Sequence, residues 1–124
     1  MRAGTANFGS GFIRTSLEGI DFSGANMAGV NFVRMVLAGV SFGGVDARGA
    51  NFQVADLTGA SFNGALLEGC DFKFANLAST DFIGADFGSG SRRATTLKTI
   101  LFSKNWQQAK FDPSVQSELR LLVP

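Results

Sequence analysis

The sequence has no histidine and no tyrosine, and it contains only one cysteine, one tryptophan and two prolines. Without histidine, Ser–His or Cys–His catalysis and imidazole metal ligation are excluded. The single cysteine, Cys70, excludes an internal disulfide, so no oxidising compartment is required. No apolar run approaches the roughly 18 residues of a membrane span. The first residues, MRAGTANFGSG, lack the apolar middle of a signal peptide.

A strong net charge is also lacking. Eleven basic and ten acidic residues leave a formal charge of +1, which offers no bulk attraction for nucleic acid. Phenylalanine and glycine are abundant instead, with thirteen and sixteen copies. A core rich in phenylalanine but without tyrosine predicts rings that are fully buried, where a phenol hydroxyl would need a partner.

A period of five residues runs through residues 10–89. A large apolar residue stands at nearly every central position, the residue before it is mostly Asn or Asp, and the second residue after it is mostly Gly. The residue two before the centre is mostly small or apolar. The central positions are Phe12, Leu17, Phe22, Met27, Phe32, Leu37, Phe42, Ala47, Phe52, Leu57, Phe62, Leu67, Phe72, Leu77, Phe82 and Phe87.

This period predicts a coil with flat sides. Two inward positions separated by one outward position form a very short strand, because side chains alternate across a strand. A glycine two residues after the centre suits the third position of a type II turn, which requires φ > 0. Centres of one type recur every twenty residues, as in Phe32, Phe52 and Phe72. Four sides therefore make one coil.

The phrases ANFQV, ADLTG, ANMAG, ANLAS and ADFGS resemble the motif A(D/N)(L/F)xx of the pentapeptide-repeat proteins. The resemblance covers residues 10–89 without a break in register. It implies an all-β solenoid, a right-handed quadrilateral β-helix, in which each coil contacts only its neighbours. Together with the C-terminal segment, we predict four to five coils and a short C-terminal capping helix.

The domain boundary is placed near residue 104. We assign residues 1–104 to the β-helix, with regular repeats over 10–89 and a partial fifth coil over 95–104, and residues 105–124 to a C-terminal cap. Leu97 and Phe102 lie twenty residues after Leu77 and Phe82, and are expected to continue those columns. The segment GSGSRR is expected to be a loop that replaces one side.

The segment DPSVQSELRLL predicts the capping helix. Asp112 suits the N-cap and Pro113 the first turn. Val115, Leu119 and Leu122 share one face of this helix. An open β-helix end exposes apolar side chains and unpaired backbone, so we expect that face to cover the end, helped by Trp106 and Phe111.

One column departs from the glycine rule. Arg14, Arg34, Val54 and Phe74 stand where turn glycines are expected, so a different turn type is predicted there. Apolar and arginine side chains mixed on a surface are typical of an interface. The candidate protein-binding face comprises Ile13, Arg14, Val33, Arg34, Val54 and Phe74. The alternative interpretation is that bulky residues merely cover a wider corner, because single exposed apolar residues are common.

No catalytic constellation is found. Cys70 occupies a small inward position, which favours a buried structural thiol over a nucleophile. The Asp and Asn residues before the centres are expected to bond turn backbone, since the nonapeptide pattern of calcium β-rolls is absent. We predict no enzyme activity, no cofactor and no metal, and a function as a protein-binding or scaffold module.

The alternative function is DNA mimicry. Some pentapeptide-repeat proteins protect type II topoisomerases from quinolones, through an acidic rod thought to imitate duplex DNA. Residues 10–89 carry eight acidic and four basic side chains, and eight minus four leaves −4. Duplex DNA carries about a dozen negative charges over the roughly 20 Å of such a rod. Charge therefore favours a scaffold over a mimic.

The expected partner is a protein that the sequence does not identify, with neither direct nucleic-acid binding nor membrane association. A homodimer through a coil end is a further expectation. The predicted location is cytoplasmic, or the plastid or thylakoid lumen if an upstream targeting segment has been removed.

Overall fold

A computed structural model describes residues 16–124. Isolated parallel bridges join residues that lie twenty apart, from Ser16 with Val36 to Leu66 with Asp86. The bridge residues recur every fifth residue and are separated by turns. The chain therefore returns over itself after four five-residue sides, as the period predicted. The repeats expected at residues 10–15 lie outside the described residues.

Backbone hydrogen bonds tie each coil to both neighbours. The Phe52 N–H donates to the Asp71 carbonyl at 2.9 Å, in the following coil. The Asn51 N–H donates to the Val30 carbonyl at 3.0 Å, in the preceding coil. Because the pattern recurs at the other sides, the one-residue strands satisfy their backbone groups without a long ladder.

The central side chains fill the inside of the coil. Phenylalanines in the same column stack nearly parallel, with ring centroids 5.0 Å apart for Phe32–Phe52 and 5.3 Å apart for Phe52–Phe72. Rings of the two phenylalanine columns meet edge to face, as between Phe52 and Phe62 at 5.4 Å and 88°. Offset-stacked and edge-to-face contacts are the two favourable arrangements of aromatic pairs. The prediction of buried phenylalanine columns is confirmed for the described coils.

The polar residues before the centres support the turns. Asn51 Oδ1 accepts the Gln53 N–H at 3.0 Å, and Asp71 Oδ1 accepts the Lys73 N–H at 3.0 Å. Cys70 lies in the core, where its thiol donates to the Ala47 carbonyl at 2.9 Å. Burial raises the pKa of the Cys70 thiol, so it remains protonated and serves as a packing group.

Helix α1, Gly90–Leu101, occupies the segment that was expected to begin a fifth coil. The predicted loop GSGSRR and the predicted coil side over residues 95–101 are therefore wrong. No glycine or Asx residue interrupts residues 91–101, so nothing there supports a turn every five residues. The hydroxyls of Thr96 and Thr99 instead accept the N–H groups of Gly69 and Phe72, at 2.9 Å and 3.1 Å.

The residues that follow Leu77 and Phe82 in their columns are not the ones predicted. Leu97 is buried, but it lies on helix α1. The backbone that follows Leu77 is that of Lys104, whose carbonyl accepts the Leu77 N–H. Phe102 is 63% exposed rather than stacked on Phe82. Phe111 takes that place, with ring centroids 5.0 Å apart and planes at 3°. The inserted helix shifts the register, so counting by twenty fails beyond residue 90.

A short 3₁₀ helix, Trp106–Gln108, precedes helix α2, Pro113–Leu122. Asp112 holds the N-cap position, but its carboxylate accepts the Gly84 N–H of the coil at 3.0 Å instead of capping its own helix. Val115 and Leu119 are buried, and Leu122 is half-buried. Arg93 of α1 binds Glu118 of α2 through two hydrogen bonds of 2.8 Å and 2.6 Å.

Candidate docking surface

The non-glycine corner, which we define as Arg34, Val54 and Phe74, adopts the same backbone turn as the glycine columns. The φ angles are 65°, 62° and 62° for these three residues, within a few degrees of the 69° at Gly59. The Ala55 N–H donates to the Phe52 carbonyl at 3.1 Å, which closes the turn around Val54. The prediction of a different turn type is wrong, because these three residues take the same positive φ and close the same i to i+3 bond as the glycine columns.

This conformation costs free energy at the corner. The left-handed region places Cβ close to the following carbonyl oxygen, at roughly 1–2 kcal/mol per non-glycine residue. A β-branched residue such as Val54 is rarer still in this region. Strained residues of this kind often mark functional sites. Three of them are stacked on one edge of the coil, whereas Ser79 and Asn105, at φ = 56° and 60°, are single cases elsewhere.

The side chains of the corner point away from the core. Val54 is 45% exposed and Phe74 is 55% exposed, and Arg34 is exposed as well. Val33, which precedes Arg34, is half-buried. The structure thus brings four of the six predicted face residues together on one edge. The other two, Ile13 and Arg14, lie outside the described residues.

The structure adds two residues that sequence reasoning missed, Phe102 and Lys104. The Phe102 carbonyl accepts the Phe74 N–H at 3.1 Å, as the Lys73 carbonyl accepts the Val54 N–H, so Phe102 continues the column beside the corner that contains Lys73. Lys104 forms a parallel bridge with Asn76. A shallow depression of about 200 Å³ lies beside the corner, lined by Val54, Ala55, Asp56, Phe74, Asn76 and Lys104. The sequence did carry a signal for helix α1, because Leu97, Ile100 and Leu101 follow helical spacing. Recognising this helix would have removed Phe102 from the predicted core column.

Arg34 and Lys104 lie at the two ends of the strip formed by the corner and the column beside it, within residues 16–124. No described carboxylate lies within 4.0 Å of the basic groups of Arg34 or Lys104. Arg48, on another side, is bound to Asp46 at 2.7 Å, and this pairing lowers the pKa of the Asp46 carboxyl. Lys73 lies 3.8 Å from Asp71. Arg34 and Lys104 thus differ from Arg48 and Lys73 in having no carboxylate partner among the described residues.

Within residues 16–124, no three His, Cys, Asp or Glu side chains group so as to hold a metal ion. None of the helices in this range has the length and apolar character needed to span a bilayer. What the corner offers is exposed apolar area next to positive charge.

Comparison with known proteins identifies the repeat. The family model for pentapeptide repeats matches residues 15–53 and 55–88, with eight copies. No curated protein is significantly similar to the chain.

Several solved structures are similar. A pentapeptide repeat protein from the thylakoid lumen of Arabidopsis thaliana is 34% identical, with a TM-score of 0.51, over 62% of this chain and 56% of that one. QnrB1, a plasmid-mediated fluoroquinolone resistance protein, is 18% identical, with a TM-score of 0.44, over 86% of this chain and 55% of that one. A pentapeptide repeat protein from Nostoc PCC 7120 is 22% identical, with a TM-score of 0.33, over 90% of this chain and 80% of that one.

The chain spans little more than half the length of the Arabidopsis protein and of QnrB1. The family match extends over more than half of this chain and coincides with the coils joined by twenty-residue bridges. The chain therefore belongs to the pentapeptide-repeat family, and its repeats form a right-handed quadrilateral β-helix.

Proposed function

We propose that this chain is a non-enzymatic protein-binding module and that its docking surface is the non-glycine corner, together with Ile13, Arg14 and Val33. The observation that carries the proposal is the left-handed backbone of Val54 and Phe74, combined with their exposure of 45% and 55%. Glycine would relieve the strain there, yet the chain keeps two apolar side chains in contact with water. Burial of these two apolar side chains by a partner would account for their presence at the corner.

Two finer points of architecture belong to the same proposal. The rod has four to five coils, and helix α2 caps its last coil. The burial of Val115 and Leu119 supports the cap, as does the bond between the Asp112 carboxylate and the Gly84 N–H. With that end covered, the lateral surface remains accessible to a partner.

DNA mimicry is the weaker alternative, because acidic side chains of the rod are partly neutralised by Arg48, Lys73 and Arg92. The thylakoid-lumen source of the Arabidopsis neighbour makes that compartment the first location to test, ahead of the cytoplasm.

The proposal is tested by photo-crosslinking in extracts of the native host. A photoreactive phenylalanine analogue replaces Phe74 in one protein and Ile83 in a control. Ile83 is 42% exposed and lies in a glycine-type turn of another side, so it matches Phe74 in exposure but not in backbone strain. A specific cross-linked protein is expected from position 74 and not from position 83.

The same partner is then purified and titrated against variants. Phe74→Asp should weaken binding by about 2 kcal/mol or more if Phe74 is a hot spot, whereas Ile83→Asp should leave it unchanged. Circular dichroism and melting curves verify that both variants remain folded. Equal cross-linking from both positions, or equal loss in both variants, rules out the corner as the docking surface.

A further inference from the structure

The non-glycine corner is part of a longer strip that runs along the rod axis. Two neighbouring columns form it: Arg34, Val54 and Phe74 at the corner, and beside them Val33, Gln53, Lys73 and Phe102 in successive layers. Its apolar groups are therefore Val33, Val54, Phe74 and Phe102, one in each layer. Neighbouring layers of a β-structure lie about 4.8 Å apart, so the strip is about 14 Å long. Any partner must match this regular spacing of apolar groups.

An α-helix lying along the axis matches it well. Helical side chains on one face recur at i, i+4 and i+7, which corresponds to one contact every 5.4 Å or so of helix length. About ten residues of helix cover 14 Å. An extended strand would place alternate side chains about 6.7 Å apart and lose register with the layers. The spacing therefore favours a helix over a strand.

A helix on this strip would lie beside the depression at the corner. The depression has a volume of about 200 Å³, and Val54 and Phe74 supply its apolar walls. Asp56, Asn76 and Lys104 supply its polar walls, and it is open to solvent. The Asp56 carboxylate accepts bonds of 3.1 Å and 2.7 Å from Thr58.

The two basic residues at the ends of the strip indicate which charges the partner should carry. Arg34 lies at the end near the N-terminal coils, and Lys104 lies at the end near α1. Neither forms an ion pair with a described carboxylate. Acidic residues on both flanks of an apolar stretch would meet these two cations, whereas basic flanks would be repelled.

We infer that the occupant of the non-glycine corner is an amphipathic helix of about three turns, with apolar residues at i, i+4 and i+7 and acidic residues at both ends. This inference rests on the proposed function, because it specifies the chemistry of the partner at the same surface. It assigns Arg34 and Lys104 to charge selection, and Val54, Phe74 and Phe102 to apolar contact.

Two synthetic helical peptides test the inference. Both carry leucines at i, i+4 and i+7 on an alanine-rich helix, one with glutamates at both ends and the other with lysines. Fluorescence anisotropy is measured with labelled peptide and the full chain. The acidic peptide should bind at least about tenfold more tightly than the basic one. The difference should shrink as salt is raised, since exposed charges are screened.

Charge reversal provides the decisive variant. Arg34→Glu with Lys104→Glu should exchange the preference, so that the basic peptide binds more tightly. Lys98→Glu with Lys110→Glu changes the net charge equally but alters exposed cations outside the strip, and it should keep the original preference. Phe74→Asp should weaken binding of the acidic peptide about thirtyfold.

Binding of neither peptide, equal binding of both, or a preference that the reversed variant fails to exchange overturns the inference. These outcomes are separable from failure of the proposed function. A partner that cross-links from position 74 but contacts it through a strand or a basic segment leaves the docking surface intact and rejects the acidic helix. Absence of cross-linking specific to position 74 rejects the surface itself.

Discussion

At the scale of single residues, the left-handed backbone occurs both at glycines and at residues with large side chains. At Gly59, φ is +69° and an added Cβ would meet nothing within 4 Å, so the glycine is present for its conformation alone. At Val54 the same turn carries a β-branched side chain. The coil thus tolerates strain at selected corners, because the stacked core on either side overdetermines the backbone.

Replacing Val54 by glycine should therefore stabilise the fold. Val54→Gly removes a β-branched residue from φ = 62°, and we expect the free energy of unfolding to rise by about 1 kcal/mol. Chemical denaturation of the purified variant measures the change. Gly59→Ala is the mirror control and should destabilise by a similar amount. A Val54→Gly protein that unfolds more easily would show that Val54 contributes to stability through packing.

The sequence predicted the inward residues well and the corner's conformation poorly. Phe32, Phe52 and Phe62 were placed correctly because burial follows the five-residue register. The turn at Val54 was missed because propensity argues against φ > 0 for valine. The closing hydrogen bonds and the stacked neighbours prevail over that propensity, and neither is visible in a window of five residues.

At the scale of elements, helices α1 and α2 contribute side chains that contact the last coil. Hydroxyls of Thr96 and Thr99 accept coil N–H groups that a further strand would have bound. Arg93 then joins the two helices through Glu118 and also donates to the Gly88 carbonyl at 3.1 Å. The sequence did not predict α1, because Leu97 and Phe102 lie at multiples of twenty from coil residues and imitate the repeat.

The bond between Arg93 and Glu118 makes this end sensitive to acid. Hydrogen bonding and the charge of Arg93 hold the pKa of the Glu118 carboxyl below its ordinary value. Because the folded-state pKa is lowered, the stabilisation is present above the ordinary pKa and is lost as pH falls through the folded-state pKa. We expect a coupling energy below about 1 kcal/mol near neutral pH, because the pair is partly exposed.

A double-mutant cycle with Arg93→Met and Glu118→Gln measures that coupling. The coupling should be largest near neutral pH and decline as pH falls below the ordinary pKa of glutamate and through the lowered folded-state pKa. The double mutant should show no such pH dependence beyond that common to all four proteins. A coupling that grows on acidification would contradict the assignment of the sign.

At the scale of the whole molecule, the rod depends on what covers its last layer. Leu119 of α2 is fully buried, whereas Leu121 on the same helix is 86% exposed. Leu119→Ala should cost about 2–5 kcal/mol by leaving a cavity over the coil end. Leu121→Ala should change stability by less than about 0.5 kcal/mol. Thermal melts of the two variants make the comparison within one helix.

Removal of residues 112–124 extends the same test. The shortened chain should melt at a lower temperature or associate, because it exposes Phe111 and the coil edge that binds Asp112. Light scattering with gel filtration reports association. A shortened protein that stays monomeric and equally stable would show that α2 is dispensable.

The twenty-residue spacing of the bridges also governs how the chain can fold. Every coil must close a loop of the same modest length, whether the rod is short or long, so the mean sequence separation of contacts does not grow with added coils. Once one coil has closed, each later coil adds onto a template that already exists. The rate-limiting event is then the first closure, and lengthening the repeat by whole coils should multiply the places where it can start without making it slower.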